Sequence, residues 1–426
     1  MSRQLSADSP GRRDFLKKSS LGTLTGVLAL GEEIPPTEKN QPVRGADQDS
    51  MACAVIGYGP WGREIASALT RNTDANLVAV CDNFPIMLRR AERSLPGIST
   101  HLDYREVLEN ADISAVFIAT PTHLHREIVI DALDAGKHVY CEAPVAATIE
   151  EARLIARAAR DADGLIFQGG LLYRTEPQYR SVFGFIRSGA VGKMVMARAQ
   201  YHVKNSWRRA SATAERTKAL NWRLDNDLSI GLMGEIGIQQ IDTVMWILGN
   251  RPTAVSGFGS VMFWRDGREI PDVVQSILEF PSGKNLIFDI SLVSSFDAMY
   301  EVFYGSDSTI VLRDSKAWMF KEVDAPMLGW EVYARRDQFY TETGIALLAN
   351  ATKLDALSQK ATDVDPDAET PLYHAIKSFT DNFFFGPYDP VANWQTSFDA
   401  TVVGIKSNEA ILRRTRIELG PDLFNV

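Results

Sequence analysis

Six consecutive residues, Gly57-Tyr58-Gly59-Pro60-Trp61-Gly62, carry the clearest chemistry in this chain. They follow an apolar run, Ala52 to Ile56, and open a helix-like segment, Arg63 to Arg71. A second apolar run, Leu77-Val78-Ala79-Val80, ends in Cys81-Asp82. Strand, glycine turn, helix, strand and acid in that order make a βαβ unit suited to a dinucleotide. Gly57 allows the tight turn, Gly59 lets backbone approach a pyrophosphate, and Gly62 lets the helix pack on the strand. Tyr58, Pro60 and Trp61 complete the turn, and the helix N-terminus offers free N–H groups to the phosphates. Asp82 can accept hydrogen bonds from the adenosine ribose and would repel a 2′-phosphate, so NAD is expected over NADP. The neutral Asn83 beside it adds no phosphate clamp.

Further along, aromatic and basic residues recur in pairs: Tyr173-Arg174, Trp207-Arg208 and Trp222-Arg223. Arg209, Arg216 and Lys218 fall between the last two pairs. Aromatic faces and guanidinium forks suit a sugar, by ring stacking and by recognition of hydroxyl or carboxylate groups. Trp207 and Trp222 fit a core or an interface equally well. Tyr201, His202 and Lys204 lie on a strand-like run, where His202 and Lys204 share a face. That face could point to a cleft, to solvent or to an oligomer interface.

The chain of 426 residues is long enough for two domains with sizeable cores. Its 45% hydrophobic and 23% charged residues are ordinary for a globular protein. The net charge of −9 argues against a nucleic-acid partner, which needs a basic face. Cys53, Cys81 and Cys141 all fall on or beside strands of the first domain, as packed thiols would, and their spacing matches no metal site.

At the N-terminus, Gly11-Arg12-Arg13-Asp14-Phe15-Leu16-Lys17 resembles a twin-arginine export signal, with a modest apolar segment from Ser19 to Leu30 behind it. Ala29-Leu30-Gly31 suits cleavage, so residues 1–31 read as signal and the polar residues 32–50 as a flexible linker. The apolar segment is short and rich in Ser, Thr and Gly for a membrane span, and no later stretch approaches one. A periplasmic or otherwise exported location follows. Export in the folded state implies a cofactor loaded beforehand and held tightly.

Residues 51–172 continue as alternating strands and helices. Ile113 to Ala119 is an apolar run expected of a strand covered on both faces, followed by Thr120-Pro121-Thr122 and a helix from His123 to Ala135. His138 to Cys141 is the next strand, and Thr148-Ile149-Glu150-Glu151 starts a helix reaching about Ala162. Leu165 to Phe167 closes the alternation. Residues 173–426 read differently. A helix over Pro177 to Arg187 precedes strands over Val195–Lys204, Ala254–Trp264, Val273–Phe280, Asn285–Leu292 and Thr309–Leu312. One helix, Gly234 to Leu248, interrupts them, and Asp355 to Thr370 reads as an exposed acidic loop.

This arrangement resembles the Gfo/Idh/MocA oxidoreductase family, whose members join a Rossmann domain to an α/β domain built on an open, mostly antiparallel sheet. The resemblance covers essentially everything after the leader. It rests on Gly57 to Gly62, Asp82, Ala119 to His125, Glu142-Ala143-Pro144, the helix with Glu235, Gln239 and Asp242, and the closing Asn408-Glu409-Ala410-Ile411. It implies that Thr120, Pro121 and His125 pass the cofactor and that Glu142 lies near the nicotinamide ribose. His125 could instead pack a helix start, and Glu142 could cap a neighbouring helix. It also implies a homo-oligomer paired through the second-domain sheet.

The departures from the family concern proton transfer. The family's Glu-Lys-Pro lysine is Ala143 here, and its Asp-x-x-x-His reads Glu235-Ile236-Gly237-Ile238-Gln239. A glutamine amide cannot act as a base near neutral pH, and alanine has no polar group. A relocated base at Tyr173, His202 or Glu235 would restore a sugar oxidoreductase, with Arg174, Lys204, Trp207, Arg208 and Trp222 toward the substrate. Two other classes stay open: a redox-neutral, NAD-dependent glycosidase, and a binding protein that keeps nucleotide and sugar but has lost turnover.

Overall fold

The computed structural model describes residues 50–347 and 369–426, apart from positions 315, 335, 340, 341 and 387. The signal expected over 1–31, nearly all of the linker over 32–50 and most of the acidic loop over 355–370 lie outside the described residues.

The first domain runs β1 (Met51–Ile56), α1 (Pro60–Arg71), β2 (Ala75–Cys81), α2 (Pro85–Ser94), β3 (Ser99–His101) and α3 (Tyr104–Glu109). It continues with β4 (Ala115–Ile118), α4 (His125–Asp134), β5 (His138–Cys141), α5 (Ile149–Asp161) and β6 (Phe167–Gly169). These six strands form one parallel sheet in the order β3-β2-β1-β4-β5-β6. Strand order reverses between β1 and β4, which opens a crevice beyond their C-terminal ends. The three cysteines are buried free thiols, and burial pushes those of Cys53 and Cys81 up to about 12.

The second domain opens with α6 (Pro177–Arg187), β7 (Met194–His202), α7 (Ala214–Leu220), α8 (Gly231–Glu235) and α9 (Ile238–Leu248). Strands β8 (Ala254–Ser260), β9 (Val273–Glu279), β10 (Asn285–Ser291), β11 (Met299–Gly305), β12 (Ser308–Arg313), β13 (Lys316–Lys321), β14 (Arg336–Phe339) and β15 (Glu342–Leu347) follow. The chain closes with α10 (Pro371–Phe385), α11 (Trp394–Arg413) and β16 (Ile417–Glu418). Ten strands make one sheet, ordered β14-β15-β13-β12-β11-β7-β10-β9-β8-β16. β7 and β10 pair in parallel and the other neighbours antiparallel, giving the open, mostly antiparallel sheet expected.

One face of that sheet is covered. Leu286, Phe288 and Ile290 of β10 are buried on it, whereas Ile287, between them, is 39% exposed on the other face. The start of α9 packs on the covered face: a Cβ on Gly237 would come within 3.0 Å of Phe288 and 2.9 Å of Ile290.

Three expectations change. The helix expected from Gly234 to Leu248 is two helices, broken where Ile236 and Gly237 both donate to the Leu232 carbonyl, at 3.2 and 3.0 Å. The strand expected from Ala254 to Trp264 stops at Ser260, because the buried Asp272 carboxylate takes the N–H groups of Met262, Phe263 and Trp264 at 2.7, 2.9 and 2.8 Å. The division at residue 172 separates the sheets but not the helices. α10 returns to the first sheet, where Phe379 meets Phe117 at 5.2 Å and Gln168 Nε2 donates to the Ala375 carbonyl at 2.9 Å. Burying those rings together brings Phe379 into the core of the first domain.

Candidate functional site

The glycine turn is fixed by backbone contacts. Gly57 has φ +95°, and a Cβ there would come 2.8 Å from the Ala119 backbone. A Cβ on Gly62 would lie 1.8 Å from the Gly57 carbonyl oxygen, so only glycine lets α1 start this close to β1. Gly59 is different, because a Cβ there would meet none of the described residues within 4 Å. Pro60 occupies the first turn of α1, where its missing N–H is harmless. Across the turn, Asp82 Oδ2 accepts from Tyr58 N and Oδ1 from Phe84 N, both at 2.9 Å. Asp82 therefore shapes the turn. Burial raises its pKa, while the Phe84 and Tyr58 N–H groups and the Arg216 charge act the other way.

The C-terminal ends of β4 and β5 supply unsatisfied polar atoms. Thr120 Oγ1, His123 Nδ1 and Glu142 Oε1 are buried without a hydrogen-bond partner among the described residues. Burial pushes the Glu142 carboxyl up to about 7, against the opposing effects of Trp61, Tyr140 and the Ala143 N–H. Gly170 makes room for it, since a Cβ there would sit 2.7 Å from Glu142 Oε2. Orphaned donors and acceptors beside a glycine cradle fit a dinucleotide, which Thr120, Pro121, Glu142 and Asp82 would hold. His125 plays another part than contact with a cofactor. Its Nε2 and Nδ1 lie 2.9 and 3.1 Å from the carbonyl oxygens of Thr120 and Pro144, so it ties two loops together. Burial pushes its pKa down to about 4, against the opposing effect of those carbonyls.

Of the four residues expected to carry catalysis, Glu235 is a buried carboxylate that reaches across the two domains. Its Oε2 accepts from Thr122 Oγ1 at 3.2 Å, its Oε1 from Ile230 N at 3.3 Å, and Arg223 Nε lies 3.7 Å away. Burial raises its pKa, with the Arg223 charge first among the opposing influences. Gln239 is separated from it by the helix break and is a strut. Its Nε2 donates to the Gly170 carbonyl at 2.7 Å and its Oε1 accepts from Leu172 N at 3.0 Å, so both ends of the amide hold backbone. Tyr173 is stacked on Tyr179 at 4.4 Å, and its hydroxyl donates to Met299 Sδ at 3.2 Å. Burial carries its pKa well above the ordinary tyrosine value, so the hydroxyl stays protonated and is not available as a base.

His202 lies on the sheet face opposite α9, where its Nε2 is 2.6 Å from Asp289 Oδ2. Strand alternation puts it with Arg198 and away from Ala197, Ala199 and the crevice. Arg174, expected at the substrate, makes a bidentate pair with Asp242 at 2.8 Å for each bond. Arg208 pairs with Asp266 at 3.2 Å, and Lys204 sits past the end of β7 with its Nζ 5.5 Å from the Phe263 ring centre. The two tryptophans do come together. Arg223 lies over Trp222 at 4.6 Å and Trp207 at 5.8 Å, and Trp222 meets His123 of the first domain edge-on at 5.7 Å. Trp207 is held at φ +61°, a region sparsely used by bulky side chains, with its N–H on Asn205 Oδ1 at 2.9 Å.

Thr122 and His123 are not singled out among the expected site residues, whereas Arg223 is expected only as part of the Trp222-Arg223 pair suited to a sugar. Thr122 and His123 sit inside the Thr120–His125 stretch, and Arg223 directly follows Trp222, so adjacency was the available signal. Among the described residues no cluster of His, Cys, Asp and Glu could hold a metal ion.

Residues 51–169 match the Oxidoreductase family, NAD-binding Rossmann fold, and residues 179–311 match the GFO/IDH/MocA C-terminal domain; together they cover more than half of the chain. A levoglucosan dehydrogenase from Pseudarthrobacter phenanthrenivorans is 28% identical over 220 residues, 47% of this chain and 54% of that protein. A scyllo-inositol 2-dehydrogenase (NAD(+)) from Bacillus subtilis is 29% identical over 239 residues, 55% of this chain and 66% of that protein. The matched region thus spans less than two thirds of either relative. Among solved structures, an oxidoreductase domain protein from Kribbella flavida superposes with a TM-score of 0.72 at 21% identity, covering 88% of this chain and 100% of that one. A levoglucosan dehydrogenase in complex with NADH gives 0.70 at 19% identity, covering 87% and 99%. The two domain matches, in this order and on this fold, place the chain in the Gfo/Idh/MocA oxidoreductase family, with an NAD-binding Rossmann domain at its N-terminal side.

Proposed function

We propose that this protein is an exported, NAD-dependent oxidoreductase acting on a sugar or sugar-derived polyol, with its cofactor held tightly and its proton chemistry moved to Glu235. One observation carries the reading: Glu235 of the second domain accepts a hydrogen bond from Thr122 of the first, two residues after Thr120, whose buried hydroxyl has no partner among the described residues. NAD, when bound, supplies the hydride acceptor. The chain's own residues do the rest. Glu235 takes the proton of the substrate hydroxyl, with Arg223 and the Ile230 N–H stabilising its ionised form. Trp207 and Arg223 offer a sugar a stacking surface and hydroxyl donors, with the buried Trp222 supporting Arg223 from behind. Relatives named for levoglucosan and scyllo-inositol support a polyhydroxylated ring as substrate.

Export rests on Arg12-Arg13 and the segment behind them. Replacing both arginines with lysine is expected to leave a folded protein in the cytoplasm. Unchanged delivery would refute a twin-arginine signal. The open face of the large sheet, with Phe258 64% and Ile277 45% exposed, suits pairing with a second copy. Sedimentation would then show a dimer or larger assembly at micromolar concentration.

One observation favours a second reading, a nucleotide- and sugar-binding protein without turnover. Gln239 has both amide ends committed to backbone, and Ala143 offers no polar side chain, so neither family position can move a proton. Mass spectrometry of nucleotide released from natively exported protein, followed by titration with sugars, separates the readings. Reduction of bound NAD by a sugar supports the oxidoreductase. Product without net reduction points to a redox-neutral hydrolase, and a nucleotide inert to every sugar leaves the binder.

A further inference from the structure

The segment between Trp207 and Trp222 leaves the second domain and returns, and one of its residues reaches the adenosine end of the crevice. Arg216, in the first turn of α7, lays its guanidinium 3.7 Å from the centre of the Phe84 ring. Phe84 stands two residues after Asp82, whose carboxylate marks the ribose position, and the Arg216 charge acts on that carboxylate. Arg216 Nε is buried and finds no hydrogen-bond acceptor among the described residues. A buried guanidinium N–H without an acceptor is costly, so its place is set by stacking or by an acceptor that arrives with a ligand.

The support behind Arg216 is built as a closed unit. Thr213 Oγ1 caps α7 by accepting from Arg216 N at 3.2 Å. Asn221 ties the two ends together: its Oδ1 accepts from Arg209 N at 2.8 Å, and its Nδ2 donates to the Arg209 and Thr217 carbonyls at 2.8 and 2.6 Å. The strap therefore presents Arg216 on a braced loop. Its far end meets the first domain again where Trp222 touches His123.

We propose that Arg216 and Phe84 form a latch between the domains that closes over the adenosine half of the bound dinucleotide and retains it. This rests on the NAD site described above and adds a residue from the second domain to it. Phe84 supplies the apolar floor, Arg216 the cation that covers it, and the orphaned Nε a donor for an adenosine ring nitrogen or ribose oxygen. Retention would then depend on a contact that opens only when the two domains part.

The test measures release of NAD from the full-length, NAD-loaded protein by trapping freed nucleotide in a coupled assay. Arg216→Ala is expected to speed release about tenfold or more, the equivalent of roughly 1.4 kcal/mol of retention. Arg216→Lys keeps the charge without the planar stack and is expected to release NAD nearly as fast as Arg216→Ala. Phe84→Leu should speed release too. Thermal melts of the nucleotide-free variants are expected to match wild type, which separates a latch from a structural loss. Equal release from wild type and Arg216→Ala, with wild type loaded, would overturn the latch and leave the NAD site standing. A wild-type protein that takes up no NAD would overturn both, and the absence of nucleotide tells that outcome from the first.

Discussion

The two walls of the crevice are constrained in different ways. On the first-domain wall, Gly57 and Gly62 are held by backbone contacts that no other residue type satisfies, with a Cβ 2.8 and 1.8 Å from neighbouring backbone atoms. On the second-domain wall, Glu235 and Gln239 are held by hydrogen bonds to Thr122, Ile230, Gly170 and Leu172, which several polar side chains could make. Binding a dinucleotide demands close approach of backbone, and sterics allow it one solution. Moving a proton demands a group of suitable pKa within reach, and that group can sit on any of several elements. This difference leaves the cofactor cradle little freedom to change and leaves the proton-transfer group free to sit on another element.

The sharpest way to break the comparison is Gly62→Ala. Its methyl would collide with the Gly57 carbonyl, so α1 must shift from β1, at a cost of about 3 kcal/mol or more and with loss of NAD binding. Thermal unfolding and NAD titration check both. Gly59→Ala is the control: its Cβ meets none of the described residues, so the melting temperature should hold while NAD binds roughly tenfold more weakly, about 1.4 kcal/mol. If Gly59→Ala binds NAD normally, the open space above Gly59 is not where the cofactor lies.

Next in size is a pH effect from beneath the second sheet. Glu301 is buried on β11, with Tyr179 donating to its Oε2 at 2.9 Å, and burial pushes its carboxyl up to about 8 from 4.5. The native state keeps this proton while the unfolded chain releases it above about 4.5, so stability falls as pH rises from there to about 8. One such group contributes at most about 1.4 kcal/mol per pH unit. Glu301→Gln should flatten that fall in denaturant titrations across the range. An unchanged slope would place the titration elsewhere; Glu142 and Glu176, each raised to about 7, carry the same sign.

A smaller effect is expected from a double change at positions 143 and 239. The pair Ala143→Lys and Gln239→His removes the strut on Gly170 and Leu172, two hydrogen bonds worth roughly 1 kcal/mol each. Turnover should fall, because the segment beside Glu142 loosens. A clear rise in turnover would show instead that these positions were the missing machinery. The smallest effect belongs to His202→Ala, on the far face of the sheet, where turnover should stay within about twofold of wild type.

Much of this was legible in the residues. The glycine turn, the parallel alternation and the helix over Pro177–Arg187 announce themselves through sterics, apolar runs and caps. β11 and β13 went unread because Met299–Gly305 and Lys316–Lys321 mix charged, aromatic and apolar residues without a clean alternation. Glu301 is the reason in β11: a charged residue in the sequence, it is buried and bonded to Tyr179 in the fold. The break at Gly237 hid inside a helical pattern. Arg174 looked like a substrate arginine because nothing local reveals Asp242 as its partner. The meeting of Arg216 with Phe84 joins two domains, and no periodicity encodes it.

The most direct test is the rate of nicotinamide reduction in NAD-loaded wild type, Glu235→Gln and His202→Ala, side by side, with the sugar that wild type accepts. Equal NAD occupancy in all three, confirmed by mass spectrometry, makes the comparison one of chemistry alone. The account predicts that Glu235→Gln slows reduction by ~10²–10⁴-fold, the usual size of a general-base contribution, while His202→Ala stays near wild type. Reduction in Glu235→Gln at the wild-type rate, or its collapse in His202→Ala instead, would contradict the placement of proton transfer at Glu235.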